Sequence, residues 1–239
     1  AALSHPNLIS VYEYRQHKRN LFENDPTPIS YLMIEFVPYS SVKSLVAHDV
    51  LAKDEVLVRT YFQHLVHGVE YLHSKNITGL DLSIDSLLIG EGYVLKIEPE
   101  VHLLRDRTKT WSGVKHYRAP EVKNRKCVDE KAADSYSLGI LLFMMISSQH
   151  PYMEDKLVKG YDLFKLLLDG DSLYWEILYQ AHNSLDFSEE FKELFLSMVK
   201  ANPLKRATLK EIKKSKWYNG PIYSQEELFF IMNKVPHHR

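Results

Sequence analysis

The side chains best suited to chemistry lie in one short stretch, residues 79–86, which reads Gly-Leu-Asp-Leu-Ser-Ile-Asp-Ser. The carboxylate of Asp81 can accept a proton from a hydroxyl group, and Ser83 and Ser86 place two neutral hydroxyls in the same stretch. A lone base contributes about 10² to 10⁴ in rate, whereas a complete site supplies far more. The stretch therefore predicts two alternatives for Asp81: a residual general base, or a structural residue that organises the loop by hydrogen bonds.

No second arrangement of reactive side chains stands out elsewhere in the sequence. The twelve histidines are scattered without the spacing of metal ligands. Neither an acyl-transfer triad nor a metalloprotease motif is present. Chemistry of these types is therefore not predicted.

The elements that must position residues 79–86 follow from the hydrophobic pattern. Short aliphatic and aromatic runs predict strands, and apolar residues spaced by three and four predict helices. The predicted strands are 8–14, 31–37, 87–89 and 93–97, and the predicted helices are 40–46, 55–74, 132–147, one that follows Ser188 as N-cap, and one from Thr208 to near Trp217. The stretch 79–86 thus lies between a long amphipathic helix and a short hairpin.

Composition and charge limit the class of protein. The chain has 30 Lys+Arg and 31 Asp+Glu, so no overall basic field attracts nucleic acid or an anionic membrane. Its longest apolar run, residues 138–146, is well short of the roughly 20 residues that span a bilayer. The single cysteine, Cys127, excludes an internal disulfide framework and fits a reducing compartment. We expect a cytoplasmic globular protein without nucleic-acid or membrane partners.

Several short motifs occur along the chain in a fixed order. They are His5-Pro6-Asn7-Leu8, Glu35-Phe36-Val37, Tyr71-Leu72-His73-Ser74, Tyr117-Arg118-Ala119-Pro120-Glu121, Asp134-Ser135-Tyr136-Ser137-Leu138-Gly139 and Asn202-Pro203-Leu204-Lys205-Arg206. The ordered set resembles a eukaryotic protein kinase of the serine/threonine type over nearly the whole chain. This resemblance implies an α+β, protein-kinase-like fold. Residues 1–38 would form a partial small lobe with the end of the regulatory helix, strands 4 and 5 and the hinge, and residues 39–239 a mainly α-helical C-terminal lobe.

The resemblance also implies roles for particular residues. Glu35 and Val37 fall in the hinge and would contact a nucleotide if one binds. Asp81 falls at the catalytic base of a loop whose family pattern is His-Arg-Asp-Leu-Lys-x-x-Asn. Three further residues fall at structural positions. Glu121 would pair with Arg206 inside the lobe, and Asp134 would cap backbone amides near the loop.

The chemical partners of Asp81 depart from that family pattern. The family's His, Arg, Lys and Asn are replaced by Gly79, Leu80, Ser83 and Ser86. Ser83 removes a cation that would face the transferring phosphate, and Ser86 removes a ligand of Mg²⁺. The resemblance therefore implies a degenerate catalytic loop.

The metal-binding Asp-Phe-Gly motif is also replaced, here by Pro99-Glu100-Val101. A register shift of one residue would put Glu98 or Glu100 in place of the missing carboxylate, and otherwise no metal ligand is expected. Val114 replaces a threonine that contacts the catalytic Asp in serine/threonine kinases. The sequence given contains no Gly-rich loop and no strand-three lysine, and we expect it to be part of a longer chain.

Taken together, the motifs predict a pseudokinase that acts as a scaffold or allosteric regulator and needs no cofactor. Its partners would be other proteins, in a larger assembly or in an adjoining domain of the same chain. Two alternatives remain open. One is a serine/threonine protein kinase that uses ATP and Mg²⁺ with atypical metal binding, and the other is a purely architectural subunit of a larger assembly.

Overall fold

The computed structural model describes residues 3–19, 28–98, 115–123, 129–152, 158, 160–181 and 186–235. Its strands are β1 (Val11–Arg19), β2 (Pro28–Ile34), β3 (Leu87–Ile89) and β4 (Leu95–Ile97). Its helices are α1 (Val42–Ala47), α2 (Glu55–Ser74), α3 (Pro120–Lys123), α4 (Glu130–Ser147), α5 (Leu163–Asp169), α6 (Leu173–Ala181), α7 (Glu189–Met198), α8 (Leu209–Ile212) and α9 (Gln225–Met232). None of these helices combines the length and the apolar character needed to span a bilayer. The predicted α+β fold, a small sheet followed by a mostly helical remainder, is confirmed.

Strands β1 and β2 form a two-stranded antiparallel sheet. The two strands were predicted at residues 8–14 and 31–37, and the structure places them at residues 11–19 and 28–34, so both lie closer together along the sequence. Leu8 leaves the sheet because it is buried against β4, where it forms a parallel bridge with Ile97. The amide of Ile9 also donates to the Ile97 carbonyl at 3.0 Å. The segment before β1 therefore contacts β4 and, among the described residues, does not pair with β2. The division into lobes at residue 38 stays a prediction.

The core is built around α2 and α4. Helix α2 has the predicted bounds, and its first turn is capped by Asp54, whose carboxylate accepts the Leu57 amide at 3.0 Å. The apolar stripe of α2 is fully buried, including Tyr61 and Phe62. Helix α4 is apolar all round, as predicted, and it begins at Glu130 because Asp129 caps it by accepting the Ala132 amide. Each helix contributes one side chain to the contacts at the start of residues 79–86, His73 from α2 and Asp134 from α4.

Strands β3 and β4 form the predicted hairpin, with Leu87 opposite Ile97. Its turn contains two residues in the left-handed region, Gly92 with φ 68° and Tyr93 with φ 61°. Glycine adopts this conformation without steric cost, but a bulky side chain such as that of tyrosine does so rarely. The positive φ of Tyr93 keeps it out of β4, which begins at Leu95 and not at residue 93 as predicted.

Helix α8 is shorter than the sequence pattern suggested. Thr208 is the N-cap, in a reciprocal capping box with Glu211, as expected of a helix start. The helix nevertheless ends at Ile212, not near Trp217. The hydroxyl of Ser215 donates to the Ile212 carbonyl at 2.8 Å and accepts the Tyr218 amide at 3.2 Å. Such side-chain bonds compete with helical backbone bonds, and the chain continues in turns.

Candidate functional site

The loop 79–86 is held by Asp134 of α4, which is fully buried. One carboxylate oxygen of Asp134 accepts the Gly79 amide at 2.9 Å, and the other accepts the Leu80 amide at 2.6 Å. The Nε2 atom of His73, at the end of α2, donates to the same carboxylate at 2.8 Å. Burial raises the pKa of Asp134 to about 6, although the bonds from His73 and the two amides lower it. The structure thus places Asp134 where it orients the start of the loop.

Glu121 and Arg206 come together although 85 residues separate them in the sequence. The Nη1 atom of Arg206 donates to Glu121 Oε1 at 2.6 Å, and Nη2 donates to Oε2 at 3.0 Å. The Arg206 side chain has no exposed surface. The guanidinium also donates to the backbone carbonyls of Ala132 and Lys200 and lies 5.2 Å from the ring centroid of Tyr136. This bidentate pair joins α3 to the segment that follows α7.

Ser83 and Ser86 close a tight turn, in which the side chain of Ser86 binds the backbone of Ser83. The Ser86 hydroxyl donates to the Ser83 carbonyl at 2.8 Å and accepts the Ser83 amide at 3.1 Å. Both residues are buried. The carbonyl of Ser86 in turn accepts the amide of Glu98 at 2.9 Å. The hydroxyl and the carbonyl of Ser86 are therefore engaged by backbone groups. Ser83 and Ser86 form a capping box, whose signal in the sequence is the two serines at positions i and i+3.

Asp81 is placed differently from the residues around it. Its side chain is half-buried, and within the described residues no hydrogen bond or ion pair of its carboxylate is found. The preceding Leu80 is only 2% exposed and packs into the hydrophobic core. Asp134 and the Ser83–Ser86 turn hold the loop, so the described contacts give no support to a loop-organising role of Asp81.

The hinge motif is fixed by a contact that sequence reasoning missed. The Oε1 atom of Glu35 accepts from Lys96 Nζ at 2.6 Å, and Oε2 accepts the Ser10 amide at 3.0 Å. Burial raises the pKa of Glu35, but the bonds from Lys96 and Ser10 outweigh burial, so the pKa lies below its ordinary value. Glu35 and Lys96 are far apart in the sequence, and no local pattern signals their pairing.

Within the described chain, the backbone amide and carbonyl of Val37 make no backbone hydrogen bond. Phe36, between Glu35 and Val37, is 84% exposed. Within the described residues the Val37 backbone is thus free of backbone partners, while the Glu35 carboxylate is committed to Lys96.

The acidic residues proposed for a shifted metal site are only partly described. Glu98 is half-buried at the end of β4, whereas Glu100 and Val114 lie outside the described residues. Among the residues that the structure does describe, no group of three or more His, Cys, Asp or Glu side chains is suited to a metal ion. At the position of the family's metal-binding asparagine the chain has the neutral Ser86 hydroxyl, which is bonded to the backbone of its own turn, and a hydroxyl is a weaker ligand of Mg²⁺ than the family's amide oxygen.

Comparison with known proteins assigns the family. Residues 1–218 match the family described as protein kinase domain. The chain belongs to the protein kinase family. This kinase-family domain is 25% identical over 223 residues to CBL-interacting protein kinase 26 of Oryza sativa subsp. japonica, a match that covers 90% of the chain and 41% of that protein.

Other relatives of this kinase-family domain have names of the same kind. The probable serine/threonine-protein kinase MARK-A of Dictyostelium discoideum is 30% identical over 91% of the chain and 19% of that protein. CBL-interacting serine/threonine-protein kinase 26 of Arabidopsis thaliana is 26% identical over 94% of the chain and 49% of that protein. The chain therefore spans less than half the length of these relatives.

Proposed function

We propose that this kinase-family domain is a catalytically impaired pseudokinase that acts as a scaffold or allosteric regulator through contacts with other proteins. The main support is the turn closed by Ser83 and Ser86. These serines stand where the family has a lysine and a metal-binding asparagine, and the Ser86 hydroxyl binds the backbone of its own turn.

Phosphoryl transfer requires metal ions and cationic side chains that neutralise the charge of the transition state. A serine hydroxyl is neutral and carries a single proton, which Ser86 donates to the Ser83 carbonyl. The Ser86 oxygen also accepts the Ser83 amide, so a metal ion at this position would share that oxygen with the turn. Ser83, unlike the lysine it replaces, offers no positive charge to a phosphate. We infer that the loop lacks the electrostatic part of catalysis.

Leu80 adds a second loss to the same loop. In the family an arginine at this position receives a phosphate on the activation segment, whereas Leu80 is apolar and packs into the core. Asp81 retains a carboxylate that can accept a proton. A base acting alone contributes only about 10² to 10⁴ in rate, so Asp81 does not make up for the missing charges.

The hinge supports a separate conclusion about nucleotide. Because the backbone of Val37 makes no backbone hydrogen bond within the described chain, a nucleotide base can be accommodated there without breaking one. We propose that the domain needs neither ATP nor Mg²⁺ for its function, and that any ATP bound at the hinge binds independently of Mg²⁺.

The test uses the full-length protein, purified and incubated with ATP and a serine/threonine peptide, with Mg²⁺ or with a chelator. Asp81→Asn removes the candidate base. Asp85→Asn is the matched control on the same loop, because Asp85 is exposed and pairs only with the exposed Lys43 among the described residues. We expect no Mg²⁺-dependent transfer above the background of Asp81→Asn, and a melting temperature that ATP shifts equally with Mg²⁺ and with chelator.

Mg²⁺-dependent transfer that Asp81→Asn abolishes and Asp85→Asn preserves would overturn the proposal. It would favour the alternative of an active serine/threonine kinase, which the names of the relatives also suggest. In that case Glu98 or Glu100 would be the candidate metal ligand, and substitution of each by glutamine would identify which one is needed.

A purely architectural subunit is the other alternative, and it differs by lacking a ligand-dependent state. It predicts that substitutions at the hinge are silent while substitutions on an outer surface abolish assembly. The proposed partners are other proteins, and the proposed compartment is the cytoplasm, which suits the single cysteine. Co-purification of the full-length protein from cytosolic extract, followed by hinge and surface variants, distinguishes a regulator from an architectural subunit.

A further inference from the structure

The segment that follows the family match, residues 219–235, lies against the body of the domain, and we call it the C-terminal strap. Its first part contacts the beginning of α2. The amide of Tyr223 donates to Thr60 Oγ1 at 2.9 Å, and the Tyr223 hydroxyl donates to Asp54 Oδ2 at 2.7 Å. Asp54 is also the N-cap of α2. The strap is therefore anchored on an element of the core.

The second part of the strap is α9, which packs on the turn between β3 and β4. The side-chain amide of Gln225 donates to the Gly92 carbonyl, and the Tyr93 hydroxyl donates to Asn233 Oδ1 at 2.6 Å. The ring of Phe229 meets the ring of Tyr93 at 5.7 Å between centroids, in an edge-on arrangement. Helix α9 thus holds Tyr93 by its hydroxyl and by its ring.

Tyr93 is the strained residue of the hairpin. Its φ of 61° lies in the left-handed region, which costs an ordinary residue about 1 to 2 kcal/mol. Such a conformation persists only where the surroundings enforce it. On its other side the Tyr93 ring stacks on Tyr39, with 4.2 Å between centroids and 23° between planes. Tyr93 is therefore held between α9 and Tyr39.

Tyr39 links this stack to the hinge. It is the second residue after Val37, and the next carbonyl, that of Ser40, accepts the amide of Ile89 in β3 at 3.2 Å. The other end of the hinge is tied to β4 by the ion pair of Glu35 with Lys96. The β3–β4 hairpin therefore restrains the hinge at both ends, and the strap holds the tip of that hairpin.

We propose that the C-terminal strap is a hinge clamp. When α9 is docked, Tyr93 stays in its strained conformation, keeps Tyr39 stacked and restrains residues 35–39. When α9 undocks, the Tyr93 ring loses Phe229 and its hydroxyl loses Asn233, the stack with Tyr39 loosens, and the hinge gains freedom. The clamp couples a segment outside the kinase match to the hinge, whether or not the domain transfers phosphate.

The test is hydrogen–deuterium exchange of the full-length protein, read on two peptides whose bonded amides report on the hinge: one covers Glu35, which donates to the Ser10 carbonyl, and one covers Ile89, which donates to the Ser40 carbonyl. Phe229→Ala combined with Asn233→Ala removes the contacts of α9 with Tyr93. The matched control is Phe230→Ala, since this neighbouring side chain is 62% exposed and its ring faces Lys234. We expect the double variant to accelerate hinge exchange at least about 5-fold, the lower end of typical coupling between two sites, and the control to leave it unchanged.

Peptides from α4 serve as the internal reference for global stability. Faster exchange in α9 with unchanged exchange in the Glu35 and Ile89 peptides would overturn the clamp, and so would an equal acceleration by Phe230→Ala. If the double variant also accelerates α4, the single variant Asn233→Ala is judged by the same two criteria. It keeps the aromatic contact of Phe229 and is the milder change.

Discussion

Replacing Glu121 by alanine should lower the free energy of unfolding by about 3 to 5 kcal/mol, because the change leaves a buried guanidinium without its counter-charge. Arg206 has no exposed side-chain surface, and Glu121 is 10% exposed. The substitution removes both bonds of the bidentate pair, at 2.6 and 3.0 Å. The remaining backbone carbonyls around Arg206 are neutral acceptors, so they compensate only part of the loss.

Urea unfolding followed by circular dichroism measures this change, with both the midpoint and the slope compared between variants. Asp85→Ala is the matched control, since its ion pair with Lys43 is exposed, at 49% and 61% side-chain exposure. Exposed pairs of this kind contribute roughly 0 to 1 kcal/mol. The contrast between the two substitutions therefore isolates the effect of burial.

A double variant tests the reasoning further. Glu121→Leu with Arg206→Met replaces the buried pair by apolar side chains, and such replacements are often close to neutral. It should be less destabilised than the sum of its two single variants. A loss below about 1 kcal/mol for Glu121→Ala, similar to that of an exposed pair, would refute the assignment of this pair as a structural support of the domain.

Three further changes have expected outcomes. Burial lowers the pKa of His64 to about 4 from 6.5, so the unfolded chain binds more protons between these values and stability falls as the pH drops through this window. At pH 5 the free energy of unfolding is lower by about 2 kcal/mol for this reason. His64→Gln removes the titrating group, so the difference in unfolding free energy between pH 7 and pH 5, measured by urea unfolding, should be smaller in the variant. Asp134, whose pKa is raised, contributes with the opposite sign in both proteins and cancels when they are compared. Gly139→Ala places a methyl group 2.8 Å from Val199 Cγ1 and should cost about 1 to 3 kcal/mol by overpacking; an unchanged melting temperature would contradict this. Ser86→Ala opens the box at the catalytic loop and should cost about 1 kcal/mol, with faster amide exchange in residues 83–86; unchanged exchange there would mean that the box does not hold the turn.

Local sequence patterns were sufficient for elements whose stabilising contacts are themselves local. Helix α2 has the predicted bounds because its cap, Asp54, and its apolar stripe are both legible along a single helix. The β3–β4 hairpin was predicted for the same reason, since its turn glycines lie between its strands. Helix α9 was not predicted, although the capping box of Ser224 and Glu227 signals its start.

Long-range contacts decided the path of the chain after α8. Helix α8 stops at Ile212, and the segment that follows is held by α2: Arg59 donates to the Trp217 carbonyl at 2.6 Å, and Gln63 donates to the Tyr218 carbonyl at 2.8 Å. These bonds engage carbonyl groups in the region where the sequence pattern predicted the helix to end. No periodicity within residues 208–217 carries information about a partner on another helix.

By itself the sequence determined the family, the α+β order of elements and the losses in the catalytic loop, because residue types in a fixed order need no geometry to be read. Only the tertiary structure showed that the Ser86 hydroxyl is engaged within its own turn, that Glu35 binds Lys96, and that α9 holds Tyr93 against Tyr39. The reason is physical: a side chain's chemistry depends on which groups face it, and in each of these last two cases the facing group comes from a distant part of the chain.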